Sequence, residues 1–216
     1  MHVIENDTRL WDQKHSKAVY RGLCTDRSKS VYRGKKLRDT DHLSDYDLCQ
    51  QTPRCRLVYE CSNSTLVDAK LTKSKQNGVA YTIRGVPMIG RSMSMEELLQ
   101  SKGVIMIEGN DVSSGLKWAL FSKSVVLTQK PTYTSWAMEE LLVPWVHYIP
   151  IADVLSDVTE KVQRMIDHDD EAKKIANNGH LWMSDVIFHP HTMHDHEAII
   201  RETFRRYRTH FKYKIL

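Results

Sequence analysis

The segment from residue 104 to residue 150 constrains the fold most, because short apolar runs alternate there with helical spacing. Val104–Ile107 is an apolar run of strand length, and it ends at the polar sequence Glu-Gly-Asn-Asp. Apolar residues then recur at helical intervals over Val112–Phe121, and Val125–Leu127 forms a second short apolar run. Strand, helix and strand in this order form a βαβ unit, in which the two strands lie parallel. We therefore predict an α/β fold, with a Rossmann-like parallel sheet and flanking helices.

The start of the predicted helix is the candidate binding segment. In open parallel sheets, ligands bind beyond the carboxyl ends of the strands, next to helix N-termini. Backbone N–H groups, hydroxyls and a lysine at such a place suit a phosphate group. The alternative is that the polar residues only cap the helix and that the lysine is solvated. The segment supplies Gly109, Asn110, Asp111, Ser113, Ser114 and, about one turn further on, Lys117.

The rest of the chain continues the alternation of strands and helices. One strand is predicted to end at Arg21 and Gly22, and the polar residues 39–53 are predicted to form a loop. Residues 1–190 are interpreted as one domain, and residues 191–216 as a C-terminal basic helix. The other predicted elements are helices over Arg54–Glu60, Met95–Lys102 and Ser135–Leu142, helices starting at Ser156 and Asp169, and strands over Thr65–Ala69 and Trp145–Ile149.

The charge balance gives little support to a nucleic-acid partner. The chain has 31 Lys and Arg against 27 Asp and Glu, a net charge of +4, which is too small an excess to indicate nucleic acid. Basic residues crowd between positions 14 and 38, but they form no known nucleic-acid-binding motif. The alternatives for this segment are a phosphate-bearing partner and a solvated basic face.

Hydrophobicity and cysteine content indicate the kind of cellular compartment in which such a chain is expected. No apolar run approaches the roughly 20 residues that a membrane span needs. The first residues contain no apolar core of a signal peptide, so none is expected. The four cysteines, Cys24, Cys49, Cys55 and Cys61, are accordingly expected to be reduced. The alternative is pairing among the three that are spaced by six residues, in an oxidising compartment.

Several motifs, in order, resemble those of glycosyltransferase family 90. Glu108–Trp118 (EGNDVSSGLKW) and Pro144–Pro150 (PWVHYIP) carry most of the likeness. Ala18–Gly22 (AVYRG) resembles a strand end of the family, and Leu66–Ala69 (LVDA), with Thr72 and Lys73, resembles another segment of it. The resemblance covers about residues 11–190. The family contains protein O-glucosyltransferases, fungal capsule xylosyltransferases and lipopolysaccharide-modifying transferases.

The resemblance implies a two-domain enzyme of the GT-B type. Such an enzyme transfers a sugar from a nucleotide donor, here UDP-linked glucose or xylose, to a hydroxyl of a protein or glycan, without a bound metal or other cofactor. The matching motifs belong to the C-terminal, donor-binding half. No residue matches the aspartate proposed as catalytic base in the other half, so the catalytic residues are unknown. The chain is expected to need a missing N-terminal domain or to self-associate. The alternative is a non-catalytic half-enzyme that binds a nucleotide or a partner.

The resemblance also suggests roles for single residues. Arg21 and Gly22 are expected at the donor diphosphate, with a surface ion pair as the alternative for Arg21. Many animal members have an arginine at the position of Gly115, so Lys117 is expected to supply the positive charge alone.

Two further groups have open alternatives. Ser135 with Glu139 or Glu140 is expected to hold ribose hydroxyls, and Trp136 either stacks on the base or lies in the core. His147 is interpreted as structural. The sequence suggests a metal site only at one cluster, and its spacing does not match a standard zinc pattern, so no metal is expected; the cluster is His189, His191, His194 and His196 with Asp195.

Overall fold

The computed structural model describes residues 9–24, 44–72 and 81–211. Its centre is a five-stranded sheet in which every neighbouring pair of strands is parallel. The strands lie in the order β2 (Val67–Leu71), β1 (His15–Gly22), β5 (Ser101–Met106), β6 (Val125–Thr128) and β7 (Ile149–Pro150). The Rossmann-like α/β prediction is therefore confirmed.

A small hairpin and the helices complete the described part of the chain. Strands β3 (Thr82–Ile83) and β4 (Val86–Pro87) pair antiparallel across Arg84 and Gly85. Both turn residues have positive φ, as a tight type I′ hairpin turn requires. The α-helices are α1 (Asp45–Gln51), α2 (Pro53–Glu60), α3 (Met95–Leu98), α4 (Ser114–Phe121), α5 (Val158–Asp167), α6 (Asp169–Phe188) and α7 (Thr192–His210).

Successive residues of the central strands pack into opposite faces of the sheet, because side chains alternate along a strand. Ile105 and Leu127 belong to the core on one face, with apolar residues of α2, α5 and the first half of α6. Val104 and Val126 belong to the core on the other face, which α3, α4 and Met183 of α6 cover. Burial on both faces explains why these strands read as continuous apolar runs rather than as alternating ones.

The predicted loop over residues 39–53 is wrong, because helix α1 lies within it. Ser44 begins this helix, and its side chain and that of Asp47 each accept a hydrogen bond from the other residue's backbone N–H. Residues 39–43 lie outside the described residues. The expectation of reduced thiols is also wrong for two cysteines, since α1 and α2 meet closely enough for a Cys49–Cys55 disulfide.

Cys24 and Cys61 are outside this disulfide, and both are buried. Burial raises the pKa of the Cys61 thiol to about 12. Its thiolate is therefore scarcely populated near neutral pH, which indicates a structural role in the core.

Three predicted elements are shorter in the structure. The helix from Met95 ends at Leu98, because the chain enters the sheet at Ser101. The helix predicted over Ser135–Leu142 is a single 3-10 turn, Glu139–Leu141, which follows a left-handed residue. The strand predicted from Trp145 begins only at Ile149, because Trp145 has a φ of 64° and turns the chain. Val146 therefore lies outside the sheet.

The last helices follow the sequence pattern closely. Helices α5 and α6 begin beside Asp157 and at Asp169, as predicted. The final helix α7 begins at Thr192 and contains no buried residue. None of the helices in the described ranges is long and apolar enough to cross a membrane.

Candidate functional site

A cavity of about 440 Å³ lies beyond the carboxyl ends of β1 and β5. This volume is within the roughly 300–1,000 Å³ that is typical of small-molecule sites. The cavity contains the place that the βαβ pattern predicts for a ligand, next to the N-terminus of α4. Of the predicted site residues, the cavity wall includes Arg21, Gly22, Gly109, Asn110, Asp111, Ser113 and Ser114.

The N-terminus of α4 supplies hydrogen-bond donors to this wall. Ser113 precedes the helix, and its hydroxyl forms no capping bond with the first turn. First-turn N–H groups have no intrahelical acceptor, and here Ser114 and Gly115 line the cavity. The Asp111 carboxylate accepts the N–H of Val112 at 2.8 Å, which fixes the loop before the helix. These N–H groups and hydroxyls, with the helix dipole, favour an anion.

Arg21 lies at the cavity wall, but its guanidinium donates hydrogen bonds to other groups of the protein. Asp68 receives three of its hydrogen bonds, one to each carboxylate oxygen and one to the backbone carbonyl, all at 2.9 Å. The carbonyls of Tyr20 and Arg91 accept the other two, at 2.8 and 3.2 Å. All three guanidinium nitrogens therefore donate to groups of the protein itself. The ion pair that the sequence left as the alternative for Arg21 is therefore present.

Gly22 lies at the cavity wall, and the ring of Tyr20 leaves little room for a Cβ atom at this position. A Cβ atom at this position would lie 2.5 Å from Oη and 2.9 Å from Cζ of Tyr20. The aromatic ring thus approaches the backbone where β1 ends. A side chain here would push the ring of Tyr20, which is itself part of the cavity wall.

Lys117, Ser135 and Glu139 form a second cluster that is not part of the cavity wall. Lys117 Nζ lies 2.8 Å from Glu139 Oε1, and the two side chains are 12% and 2% exposed. Ser135 donates to the same carboxylate from its backbone N–H at 2.7 Å and from its hydroxyl at 2.8 Å. Burial by itself raises the pKa of the Glu139 carboxyl, but the hydrogen bonds from Lys117 and Ser135 outweigh it and lower the pKa.

The other predicted residues of this region are exposed. Glu140 accepts a hydrogen bond from the hydroxyl of Thr134. Trp136 is 61% exposed, so it does not lie in the core. The donor contacts predicted for Lys117, Ser135, Glu139 and Glu140 stay predictions.

Glu108 and Arg54 were not among the predicted site residues, although Glu108 begins the motif that carries most of the family resemblance. The Glu108 carboxylate accepts the N–H groups of Thr132 and Tyr133 at 3.0 and 3.2 Å, and so holds the loop after β6 against the end of β5. Arg54 lines the cavity from the start of α2. Its only sequence signal was its place at the start of a predicted helix, next to Pro53.

His147 has a structural position in the turn before β7. Its Nδ1 accepts the N–H of Val143 at 2.9 Å, and its ring packs 5.1 Å from that of Trp182. The backbone carbonyl of His147 also approaches Gly179, where a Cβ would come within 2.9 Å of it. These contacts support the structural role that the sequence suggested for His147. The residue lies on a turn, however, rather than on the predicted strand.

Protonation of His147 is expected to destabilise the protein. Burial lowers the pKa of the imidazole, so the unfolded chain takes up this proton at a higher pH than the folded chain. The stability that depends on neutral His147 is present above the unfolded pKa of about 6.5 and is lost as the pH falls through the lower folded pKa. We expect the melting temperature to fall between about pH 7.5 and about pH 5, and to fall less in His147→Asn, whose amide oxygen can replace Nδ1. An equal fall in the variant would contradict this assignment.

The histidine cluster near residue 190 is spread over the exposed start of α7. His189, His191, His194 and His196 are all exposed. Within the described ranges, no group of three or more His, Cys, Asp or Glu side chains is arranged to hold a metal ion.

These features define a class of protein. A parallel sheet with helices on both faces, and a cavity at the strand ends, describe a Rossmann-like α/β domain whose cavity lies where such domains usually bind ligands. Comparison with known proteins makes the class specific: the chain belongs to glycosyl transferase family 90, whose family model matches residues 1–214.

Individual relatives are similar over part of their length. The chain is 36% identical over 92 residues to O-glucosyltransferase LpsA of Dichelobacter nodosus, covering 43% of this chain and 29% of that protein. It is 35% identical over 133 residues to Protein O-glucosyltransferase 2 of Danio rerio, covering 59% and 26%. It is 31% identical over 140 residues to human Protein O-glucosyltransferase 3, covering 61% and 25%. The matched part is thus less than a third of each of these relatives.

Proposed function

We propose that this chain is the donor-binding half of a GT-B type glycosyltransferase that uses a UDP-linked sugar. The observation that carries the proposal is the cavity at the ends of β1 and β5, into which the N-terminus of α4 presents N–H groups and serine hydroxyls. A diphosphate is the ligand group that best matches these donors. The relatives that are named O-glucosyltransferases favour glucose as the sugar, with xylose as the second choice.

The chemistry divides between the two halves of such an enzyme. Transfer breaks the bond between the sugar and the diphosphate, so negative charge develops on the leaving UDP. The donor half stabilises that charge with hydrogen-bond donors and positive groups. Deprotonation of the acceptor hydroxyl needs a base, and we assign the base to the acceptor-side half. In this proposal no metal takes part, and the acceptor is a hydroxyl of a protein or glycan.

The exposed face of α7 supports a further polypeptide partner in this proposal. Large apolar side chains recur along the helix and remain exposed, which is unusual for a surface that faces only water. The partner is either the acceptor-side domain or a second copy of this chain. The exposed side chains are Met193, Ile199, Ile200, Phe204 and Tyr207.

A charge placed in the cavity tests the donor site. Ser114→Glu puts a carboxylate at the first residue of α4, on the cavity wall, and we expect it to weaken UDP binding at least about tenfold, the worth of one charge-assisted contact. An acidic residue at a helix N-terminus is itself favourable, so the fold should be retained. Thr192→Glu makes the same change at the start of α7 and should bind UDP like the wild type. Calorimetry measures both, and equal affinity in the two variants would contradict the proposed site.

An activity assay separates the half-enzyme from its alternatives. The purified chain is incubated with UDP-glucose or UDP-xylose, with and without hydroxyl acceptors, and UDP release is followed. We expect UDP binding but no sustained release that depends on the acceptor. Such release from the chain alone would refute the half-enzyme proposal. The second candidate, a non-catalytic nucleotide-binding protein, predicts that added acceptor-side domain restores no transfer either.

A further inference from the structure

The segment between α2 and β2 contains a triplet at which an asparagine can carry an oligosaccharide. Asn63, Ser64 and Thr65 match the pattern Asn-x-Ser/Thr with a middle residue other than proline, which is the acceptor pattern for N-linked sugars. Short patterns of this kind also occur by chance, so the exposure of the triplet and the compartment of the chain have to agree with it. The other match in the sequence, at Asn6, lies outside the described residues.

The triplet lies in an exposed turn that directly follows α2. The backbone N–H of Ser64 donates to the carbonyl of Cys61 at 3.0 Å, and the hydroxyl of Ser64 accepts the N–H of Leu66 at 3.3 Å. Asn63 and Thr65, on either side of Ser64, are both exposed. The two residues that the pattern requires, the asparagine and the threonine, are therefore accessible to a modifying enzyme.

The disulfide between Cys49 and Cys55 is an independent indication of the compartment. The two cysteines are 1% and 0% exposed, so the disulfide is part of the core. Structural disulfides form and persist in oxidising compartments such as the lumen of the endoplasmic reticulum, and they are rare in the cytosol. Proteins that fold in this lumen are the ones that receive N-linked sugars. The disulfide thus places Asn63 in the compartment where its triplet can be used.

The triplet lies at the edge of the sheet opposite to the cavity. The N–H of Ala18 in β1 donates to the carbonyl of Leu66, where the chain enters β2, so Asn63 is near the amino ends of these strands. The cavity lies beyond the carboxyl ends of β1 and β5. Strand β2 has five residues, which separate the two edges by roughly 16 Å at about 3.3 Å per residue. A bulky hydrophilic group on Asn63 therefore leaves the cavity open.

We propose that Asn63 is a site of N-glycosylation. The co-substrate is an oligosaccharide linked to a lipid diphosphate. The side-chain nitrogen of Asn63 forms a bond to C1 of the first sugar, the bond between C1 and the diphosphate oxygen breaks, and the lipid diphosphate leaves. The amide nitrogen loses one proton, so the product is a neutral N-linked sugar. This modification is independent of donor binding in the cavity.

Mass spectrometry of the chain from the cells that naturally produce it tests the proposal directly. Peptide-N-glycosidase removes N-linked sugars and converts the asparagine that carried them to aspartate. In water enriched in oxygen-18 the new carboxyl group is labelled, and a parallel incubation without the enzyme controls for spontaneous deamidation. We expect enzyme-dependent label at Asn63. A peptide that contains only unmodified Asn63 would overturn the proposal.

A second measurement compares two substitutions of Thr65 in chains directed into the secretory pathway of cultured eukaryotic cells. All chains carry Asn6→Gln, so that a change in gel mobility after glycosidase treatment reports on Asn63 alone. Thr65→Ala removes the pattern and keeps Asn63, whereas Thr65→Ser retains the pattern. Because Thr65 is exposed, both variants should fold. We expect the mobility change in the parent chain and in Thr65→Ser, and its loss in Thr65→Ala. The same change in Thr65→Ala, or none in the parent chain, would contradict modification at Asn63.

Discussion

Replacement of Lys117 by methionine is expected to destabilise the folded chain by about 3–5 kcal/mol, the usual cost of removing one partner from a buried ion pair. The reason is that the carboxylate of Glu139 is only 2% exposed. Without Lys117, its remaining partners include the N–H and hydroxyl of Ser135, which carry no charge. Urea unfolding followed by circular dichroism measures the loss of stability.

Two further variants show whether the ion pair is the cause. Glu139→Gln in the Lys117→Met background removes the uncompensated charge and should restore a substantial part of the lost stability. Lys123→Met replaces an exposed lysine just after the end of α4 and should change stability by no more than about 0.5 kcal/mol. If Lys117→Met unfolds at the same urea concentration as the wild type, the buried pair is not a feature of the folded protein.

Replacement of Leu57 by alanine is expected to cost about 2–5 kcal/mol, the range for deleting a large side chain from a packed core. Leu57 lies on α2 with 0% exposure, in the core beneath the sheet. Because α2 also carries Arg54, a loosened helix should weaken UDP binding as well. Leu141→Ala is the control, since Leu141 is 53% exposed, and its stability should stay within about 0.5 kcal/mol of the wild type. Equal melting temperatures for the two variants would contradict the packing of α2.

The sequence predicted the parallel sheet well because its signals are local. Val104–Met106 of β5 and Val125–Leu127 of β6 are apolar on both faces of the sheet, and the helix between them has ordinary helical spacing. The parallel pairing of Gly103–Met106 with Val125–Thr128 follows from that order alone. The wall around Gly109–Ser114 was predicted for the same reason, since strand ends of a parallel sheet converge on one edge.

The errors arise where distant contacts decide the local structure. Helix α1 lies in a polar segment that has weak apolar spacing, and a disulfide to α2 fixes it. The strand predicted from Trp145 is replaced by a turn, which a left-handed residue and the contacts of His147 stabilise. Residue type and spacing do not reveal such contacts.

At the candidate site, too, the sequence does not reveal contacts between distant segments. The sequence selected the cations by motif, and it selected Arg21 and Lys117. Their partners Asp68 and Glu139 come from other elements, and only the folded chain shows that both cations have them. Arg54 lacked a motif, and its position between Leu23 and Ile107 depends on three segments that meet in space.

The most direct test of the account is to locate UDP on the protein. Amide NMR spectra of the isotope-labelled chain, recorded during a titration with UDP, report which backbone groups the ligand contacts. We expect shifts that concentrate at residues 109–118, at Tyr20–Leu23 and at Arg54. Shifts that concentrate elsewhere, for example at the second cavity beside Trp11 and Lys173, or no saturable shifts at all, would contradict a nucleotide-sugar site at the ends of β1 and β5.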